Sequence, residues 1–339
     1  MADMETVNIK KLAQMLNLSI STISKALRDS YDISQETKDK VIQLARELNY
    51  QPNLHASSLR KNKSKTIAVI VPEIANNYFA LAINGIESIA EEKGYHVLIY
   101  LTHEDAVKEI KYTRHLHSGR VDGVLISLSS TTTDYSHLYE LQEKKIPIIF
   151  FDRVCEDFNT IKVTTDDIAS SRLATQHLID KGCKKIAHLA ISGHLSIGQK
   201  RLIGYRQALT ENGLPFKESM VVECSNDNGR DFELIRELMQ REHCDGLFAA
   251  VERYAISAYD VCQHLQLDIP KQVKVIGFSN LQTAALLNPS LTTITQPAFD
   301  IGKEAASLLF RSLEKKSFLL TDEKIIFQSI LMERESTRS

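Results

Sequence analysis

Residues 7–28 read VNIKKLAQMLNLSISTISKALR, and the spacing of their apolar side chains predicts two short helices joined by a tight turn. Ile9, Leu12, Ala13 and Leu16 fall at i, i+3, i+4 and i+7, which makes one apolar stripe, and Asn8 is placed to cap the first helix. Asn17 stands where the turn needs a residue that tolerates a left-handed backbone, and Ser19 then caps a second helix that buries Ile23, Ala26 and Leu27. Ile20, Ser21, Thr22, Lys25 and Arg28 are left facing outward. A helix with an apolar back and a face of small hydroxyls and cations suits a DNA major groove, because the small residues allow close approach while the cations meet phosphate or guanine. The competing reading is a two-helix packing unit with a solvated face, since lookalikes of this pattern are frequent. Ser34 opens a third helix with Val41, Leu44, Ala45 and Leu48 on one side, and after Pro52 the segment NLHASSLRKNKSK buries nothing of its own.

At 339 residues the chain is long enough for more than one domain, and its net charge of −2 announces no global basic field. The charge is unevenly placed: the first 65 residues carry about +4 and the remainder about −6, which suits a DNA-facing head on an acidic body. Five cysteines without CxxC or Cys/His spacing point to reduced thiols. The start, MADMETVNIKK, has no apolar signal core, and no run approaches the ~18 apolar residues of a membrane span, so a cytoplasmic protein is expected.

From Thr66 onward, short apolar runs alternate with amphipathic stretches, the pattern of strand and helix units wound on a parallel sheet. The runs IAVIV, GVLI and IPIIFF are continuous, as strands covered on both faces should be. A second comparable set begins near Ile168, and two such sets suggest two lobes, because one sheet this wide would be unusual. In open α/β sheets ligands bind beyond the carboxyl ends of the strands, and between two lobes those ends face a shared cleft. The residues that follow strands are therefore candidates: Asn76 and Phe79, Asp152 and Arg153, then Val251, Glu252, Ser279 and Asn280, with Arg201 opening a helix and Gln296 in the segment after Leu291 to Ile294. Each also has a structural reading. Asn76 could be only a helix cap, Phe79 is at home in a helix core, and Asp152 with Arg153 could be a surface pair.

The whole chain resembles transcription regulators of the LacI/GalR family. The matching pieces are SISTISKAL, ISQETKDKVIQLARELNYQPN, the ASSLR hinge, KTIAVIVPEIANNYF, FFDR, the Arg201 to Tyr205 run RLIGY, VIGF, PSLTTITQP and the closing MERES, in family order from about residue 7 to about residue 336. The resemblance implies a small all-α helix-turn-helix domain plus an α/β two-lobed core of the type I periplasmic-binding-protein kind with parallel sheets. The helix-turn-helix domain would occupy 1–50, a hinge helix or linker 51–64, and the effector-binding and dimerisation core 65–339. Crossings near 162, 292 and 323 would then give a first lobe of about 65–162 and 293–323, and a second of about 163–292 and 324–339.

For the head, the resemblance makes Ile20 and Ser21 the base-reading positions, with Ser19, Thr22, Lys25 and Arg28 around them; Lys25 replaces a commoner arginine and loses the bidentate fork. In the hinge, Asn53, Ala56, Ser57 and Leu59 join the DNA-facing set. Leu59 would wedge into a minor-groove step, and Ser57 stands where most relatives put arginine. For the cleft, Arg201 sits where relatives place an arginine that forks onto ligand oxygens, and Asp152 where they use a carboxylate to accept sugar hydroxyls. Val251, Glu252 and Ser279 depart from the Asn-Asp and Asp that many relatives carry. Losing an amide and a carboxylate while Arg153, Arg201 and Arg253 remain leans the pocket toward a phosphorylated or acidic sugar derivative.

These expectations combine into a homodimeric regulator, a repressor by preference, that reads a pseudo-palindromic operator with two heads while a small sugar-like effector sets its affinity through lobe closure. No trailing leucine heptad follows MERESTRS, so no tail-mediated tetramer is expected. Three rivals have weaker support. A sugar-capture protein of the cell envelope does not account for the head; an enzyme finds no GxGxxG, GxxxxGK[ST], HExxH or GxSxG; and a protein co-regulator could replace the small effector. No cofactor is expected, nor a metal site, because the scattered histidines include only His115 and His117 at i, i+2, which do not share a helix face.

Overall fold

The computed structural model describes residues 8–50 and 64–338, apart from 118, 226 and 316. The chain divides into two compact units, 1–62 and 63–339.

The first unit contains α1 (Ile9–Leu16), α2 (Ile20–Ala26) and α3 (Gln35–Glu47). Asn8 caps α1 by accepting from the Lys11 N–H at 3.1 Å, and Asn17 ends it at φ 52°, where the amide side chain makes the left-handed turn tolerable. Ser19 accepts from the Thr22 N–H at 3.0 Å and starts α2, and Ser34 caps α3. Leu12, Ala13, Ile23, Ala26, Val41 and Ala45 form the buried centre, with Ile9, Leu16, Leu27, Leu44 and Leu48 around it. The stripes expected from the sequence are therefore the ones that meet.

In the second unit one sheet is built from β1 (Thr66–Val71), β2 (His96–Leu101), β3 (Gly123–Ile126), β4 (Ile148–Phe151), β5 (Lys162–Thr165) and, near the end of the chain, β11 (Lys324–Phe327), in the order β11-β5-β4-β3-β1-β2. It is covered by α4 (Asn77–Glu92) and α11 (Ala298–Glu314) on one face and by α5 (Ala106–Leu116) and α6 (Ser136–Glu143) on the other. The alternation of β1 makes this visible: Ile67, Val69 and Val71 pack toward α4 and α11, whereas Ala68 and Ile70 pack toward the opposite layer. Both halves of the strand are buried, which is why it reads as an uninterrupted aliphatic run.

The second sheet holds β6 (Ile186–Ala190), β7 (Val221–Glu223), β8 (Gly246–Ala249), β9 (Lys274–Phe278), β10 (Thr292–Thr295) and β12 (Ile330–Met332), in the order β12-β10-β9-β8-β6-β7. Its helices are α7 (Asp167–Asp180) and α8 (Ser196–Glu211) on one face, α9 (Asn228–Glu242) and α10 (Glu252–His264) on the other. Every pairing in the two sheets is parallel except that of β10 with β12.

The crossings between lobes fall one strand later than expected near 162, 292 and 323. β5 pairs with β4, β10 with β9, and β11 with β5, so each strand completes the sheet that the chain is about to leave. The passages therefore follow Thr165, Thr295 and Phe327. β5 reads KVTT because its buried lysine is satisfied rather than expelled: Lys162 Nζ donates to Phe158 O at 2.7 Å and pairs with Asp322.

Candidate functional site

The carboxyl ends of the two sheets face one another, and all eight residues expected in the cleft, Asn76, Phe79, Asp152, Arg153, Arg201, Glu252, Ser279 and Gln296, line one cavity of about 30 Å³. Several fill their structural roles at the same time. Asn76 caps α4 by accepting from the Tyr78 N–H at 2.9 Å, and Phe79 packs edge-on against Phe151 with ring centroids 6.5 Å apart. Arg201 lies in the second turn of α8 rather than at its start.

Asp152 follows β4 in a left-handed conformation, φ 60°, and lines the cavity. Burial pushes its pKa up to about 6, against the opposing pull of Arg153 and Arg201. Arg201 is 2% exposed; its Nε donates to Asp167 Oδ1 at 2.8 Å, its Nη1 donates to the Ala250 carbonyl, and its guanidinium lies 3.7 Å over the Phe278 ring. Arg153, also 2% exposed, donates from Nη1 to both Glu104 oxygens at 2.7 and 2.8 Å. Glu252 opens α10 and spans the lobes, accepting from Asn77 Nδ2 at 2.8 Å and from Ser279 Oγ at 2.8 Å. Gln296 donates to Thr165 Oγ1 at 2.9 Å, tying two of the crossover segments together.

This arrangement weighs against the lean toward an acidic ligand. Of the three arginines that suggested an electropositive pocket, Arg153 is held by buried Glu104, Arg201 by buried Asp167, and Arg253 pairs with Glu73, while Asp152 and Glu252 add further acidic groups. The sequence reading missed Tyr78, Asn77, Glu104 and Asp167. Glu104 follows β2 and was open to the same rule that found Asp152; Asp167 follows β5, a strand whose polar sequence concealed it.

On the head, Ser19, Ile20, Ser21 and Arg28 are exposed, and Thr22 and Lys25 are half-buried. Ser19 and Thr22 share a hydroxyl hydrogen bond of 2.8 Å, Lys25 pairs with Asp32, and Arg28 folds back on Ser24, donating to its carbonyl at 2.9 Å. The open part of the face is thus Ile20 and Ser21, with both cations engaged internally. Asn53, Ala56, Ser57 and Leu59 lie outside the described residues. Among the described residues no helix is long and apolar enough to cross a membrane.

Residues 8–53 match the model of bacterial regulatory proteins of the lacI family, and residues 64–326 match that of periplasmic binding proteins and the sugar binding domain of the LacI family. The chain is 30% identical over 331 residues, 97% of its length and 97% of the relative's, to the ribose operon repressor of Halalkalibacterium halodurans. Its fold is similar to a transcriptional regulator CelR–cellobiose complex, with TM-score 0.74, 26% identity and coverage of 97% of this chain and 99% of that one. It is also similar to the lac repressor dimer bound to operator and the anti-inducer ONPF, with TM-score 0.86, 21% identity and coverage of 99% and 100%, a likeness of fold alone. A three-helix head with an open hydroxyl face, two doubly covered sheets around a polar cleft, and matches that run nearly the whole length together establish that this chain belongs to the LacI family of bacterial transcription regulators.

Proposed function

We propose that the chain is a DNA-binding repressor that reads a pseudo-palindromic operator as a homodimer, with its affinity set by a small sugar-like molecule bound between the lobes. The observation that carries the effector half is the convergence of Asp152, Arg153, Arg201 and Glu252, from the strand ends and helix starts of both lobes, on one cavity beside the Phe79 and Phe278 rings. Sugars are recognised by this combination, polar groups for hydroxyls and apolar faces for ring carbons. A relative named for the ribose operon and a fold neighbour in complex with cellobiose support the same class.

In this reading Ile20 and Ser21 meet base edges, Ser19, Thr22, Lys25 and Arg28 meet the backbone or flanking bases, and Asn53, Ala56, Ser57 and Leu59 belong to the hinge. The protein works without turnover, cofactor or metal, in the cytoplasm. Coupling needs an element that ligand and DNA both bias, and the lobes supply one: Lys200 of the second lobe pairs with Glu156 of the first at 2.6 Å, and Arg253 with Glu73 at 3.3 Å. The test is a thermal-shift screen with neutral mono- and disaccharides, followed by anisotropy on DNA that the protein selects from a random pool. A ligand at ~100 times its dissociation constant adds about 2.7 kcal/mol of stability. A sugar that raises the melting temperature and changes the operator affinity supports the reading. DNA binding indifferent to every sugar that binds refutes it.

A further inference from the structure

Glu104 sits in a backbone conformation that needs a reason. His103 and Glu104 follow β2 with φ values of 52° and 61°, two consecutive non-glycine residues in the left-handed region. Such conformations are disfavoured for residues that carry a Cβ and persist only where the surroundings enforce them. Here the enforcement is explicit. Thr131 Oγ1 donates to the Glu104 carbonyl at 2.9 Å, and the Ser130 N–H donates to Glu104 Oε2 at 2.7 Å. The partner loop is anchored in turn: buried Glu109 accepts from the Ser129 N–H at 2.8 Å, from Thr132 Oγ1 at 3.0 Å and lies 3.0 Å from His137 Nε2. Ser129 Oγ and Thr102 Oγ1 close the network at 2.7 Å.

The result of all this tethering is a carboxylate only 7% exposed, held by the Ser130 N–H and engaged through both of its oxygens by Arg153 Nη1. Burial opposes its ionisation, but the Arg153 charge and hydrogen bonds, with the Ser130 N–H, outweigh burial and hold its pKa below the ordinary value. Arg153 therefore reaches the cavity with its charge already matched. Its Nε is buried without a hydrogen-bond partner among the described residues, as is the Tyr78 hydroxyl. The cleft thus still offers donors that a neutral hydroxyl could satisfy.

We infer that Glu104 is a specificity residue, which holds Arg153 on its own carboxylate and so withholds that guanidinium from anionic ligands, restricting the cleft to uncharged ones. The inference rests on the proposed effector cleft. A phosphate or carboxylate entering beside Arg153 must either displace a tethered carboxylate or lie against it, and like charges at an interface are strongly disfavoured.

The test uses the full chain and its Glu104→Gln variant, which keeps the side-chain shape and removes the charge. The probes are inorganic phosphate, ribose 5-phosphate and glucose 6-phosphate, beside ribose and glucose, read by calorimetry and thermal shift. Wild type is expected to be silent to the three anions; E104Q is expected to bind at least one of them about tenfold or more tighter than wild type, and E104Q/R153Q to lose that gain. A structural role for Glu104 would not alter charge selectivity. Anions that bind wild type through Arg153, or an E104Q variant that gains nothing, overturn the assignment. If E104Q does not fold, wild type decides: a sugar-phosphate response abolished by R153Q refutes the inference, and silence upholds it. Should no neutral sugar bind wild type, the neutral-sugar reading fails while anion gain in E104Q remains readable.

Discussion

Glu252 and Asn77 meet across the cleft: Asn77 Nδ2, on the first lobe, donates to Glu252 Oε1, on the second, at 2.8 Å. The other Glu252 oxygen is held by Ser279 within its own lobe, so this carboxylate is a strut as much as a lining residue.

Removing the strut should be felt in stability. Hydrogen bonds to a charged acceptor are worth about 1.5–3 kcal/mol, so Glu252→Ala is expected to lower the unfolding free energy by about that much in urea titrations. Asn77→Asp, which sets a second carboxylate against Glu252, should hold the lobes apart, seen as a larger radius of gyration in solution scattering. An unchanged midpoint in E252A would show that the strut contributes nothing.

Asp152 makes a prediction in pH. Its carboxyl titrates near 3.8 when unperturbed and near 6 when buried in the fold, so the folded protein holds the proton more tightly than the unfolded chain. Its contribution to stability therefore falls as pH rises from about 4 to about 6 and stays lower above that. The gap corresponds to roughly 3 kcal/mol. Asp152→Asn should match wild type below pH 4, exceed it in stability above pH 6, and bind effector more weakly. Parallel stability curves for the two proteins across that range would contradict this account.

The contrast between what was and was not readable has a physical cause. β1, β3 and β4 announced themselves because helices cover both of their faces and favour apolar side chains throughout. β5 did not, because its buried positions include polar Lys162, Thr164 and Thr165, with Lys162 and Thr165 satisfied by hydrogen bonds. The cleft residues followed from the rule of strand ends sharpened by family motifs. What the motifs could not supply was the pairing of Arg153 with Glu104 and of Arg201 with Asp167. Partners separated by 49 and 34 residues are brought together only by tertiary structure, and they neutralise the charge inferred from the arginines alone.

On the head, Lys25 pairs with exposed Asp32 and holds its carboxyl below the usual carboxylate range through its hydrogen bond and charge. Surface pairs of this kind contribute little to stability, because water screens them. Asp32→Asn should therefore leave the melting temperature nearly unchanged while releasing Lys25 to DNA. Operator affinity should rise severalfold, and Lys25→Ala should reduce the slope of log affinity against log salt by about one if the contact is to phosphate. Identical affinities and slopes for wild type, D32N and K25A would remove Lys25 from the DNA-facing set.

Gly204 is the one residue of the RLIGY run whose role is steric. A Cβ there would lie 2.2 Å from the Ile168 carbonyl oxygen, 2.8 Å from Ser171 Cβ and 2.9 Å from the Arg172 nitrogen, so α8 crosses α7 backbone to backbone. The first lobe repeats the device where Gly302 of α11 meets Ala82 of α4, with a Cβ 2.0 Å from its carbonyl. Backbone atoms cannot rotate aside as a flexible side chain can, so Gly204→Ala must push the helices apart and should cost at least about 2 kcal/mol. Arg201 lies one turn away on the same helix and reaches Asp167 at the start of α7, so that displacement should also weaken effector binding. Gly193 is the control, since a Cβ there meets only Glu223 Oε2 at 3.9 Å. Gly193→Ala should unfold like wild type in the denaturant titration that separates Gly204→Ala from it; equal midpoints for the two variants would mean that the crossing tolerates a methyl group and that the close packing is not needed for the fold.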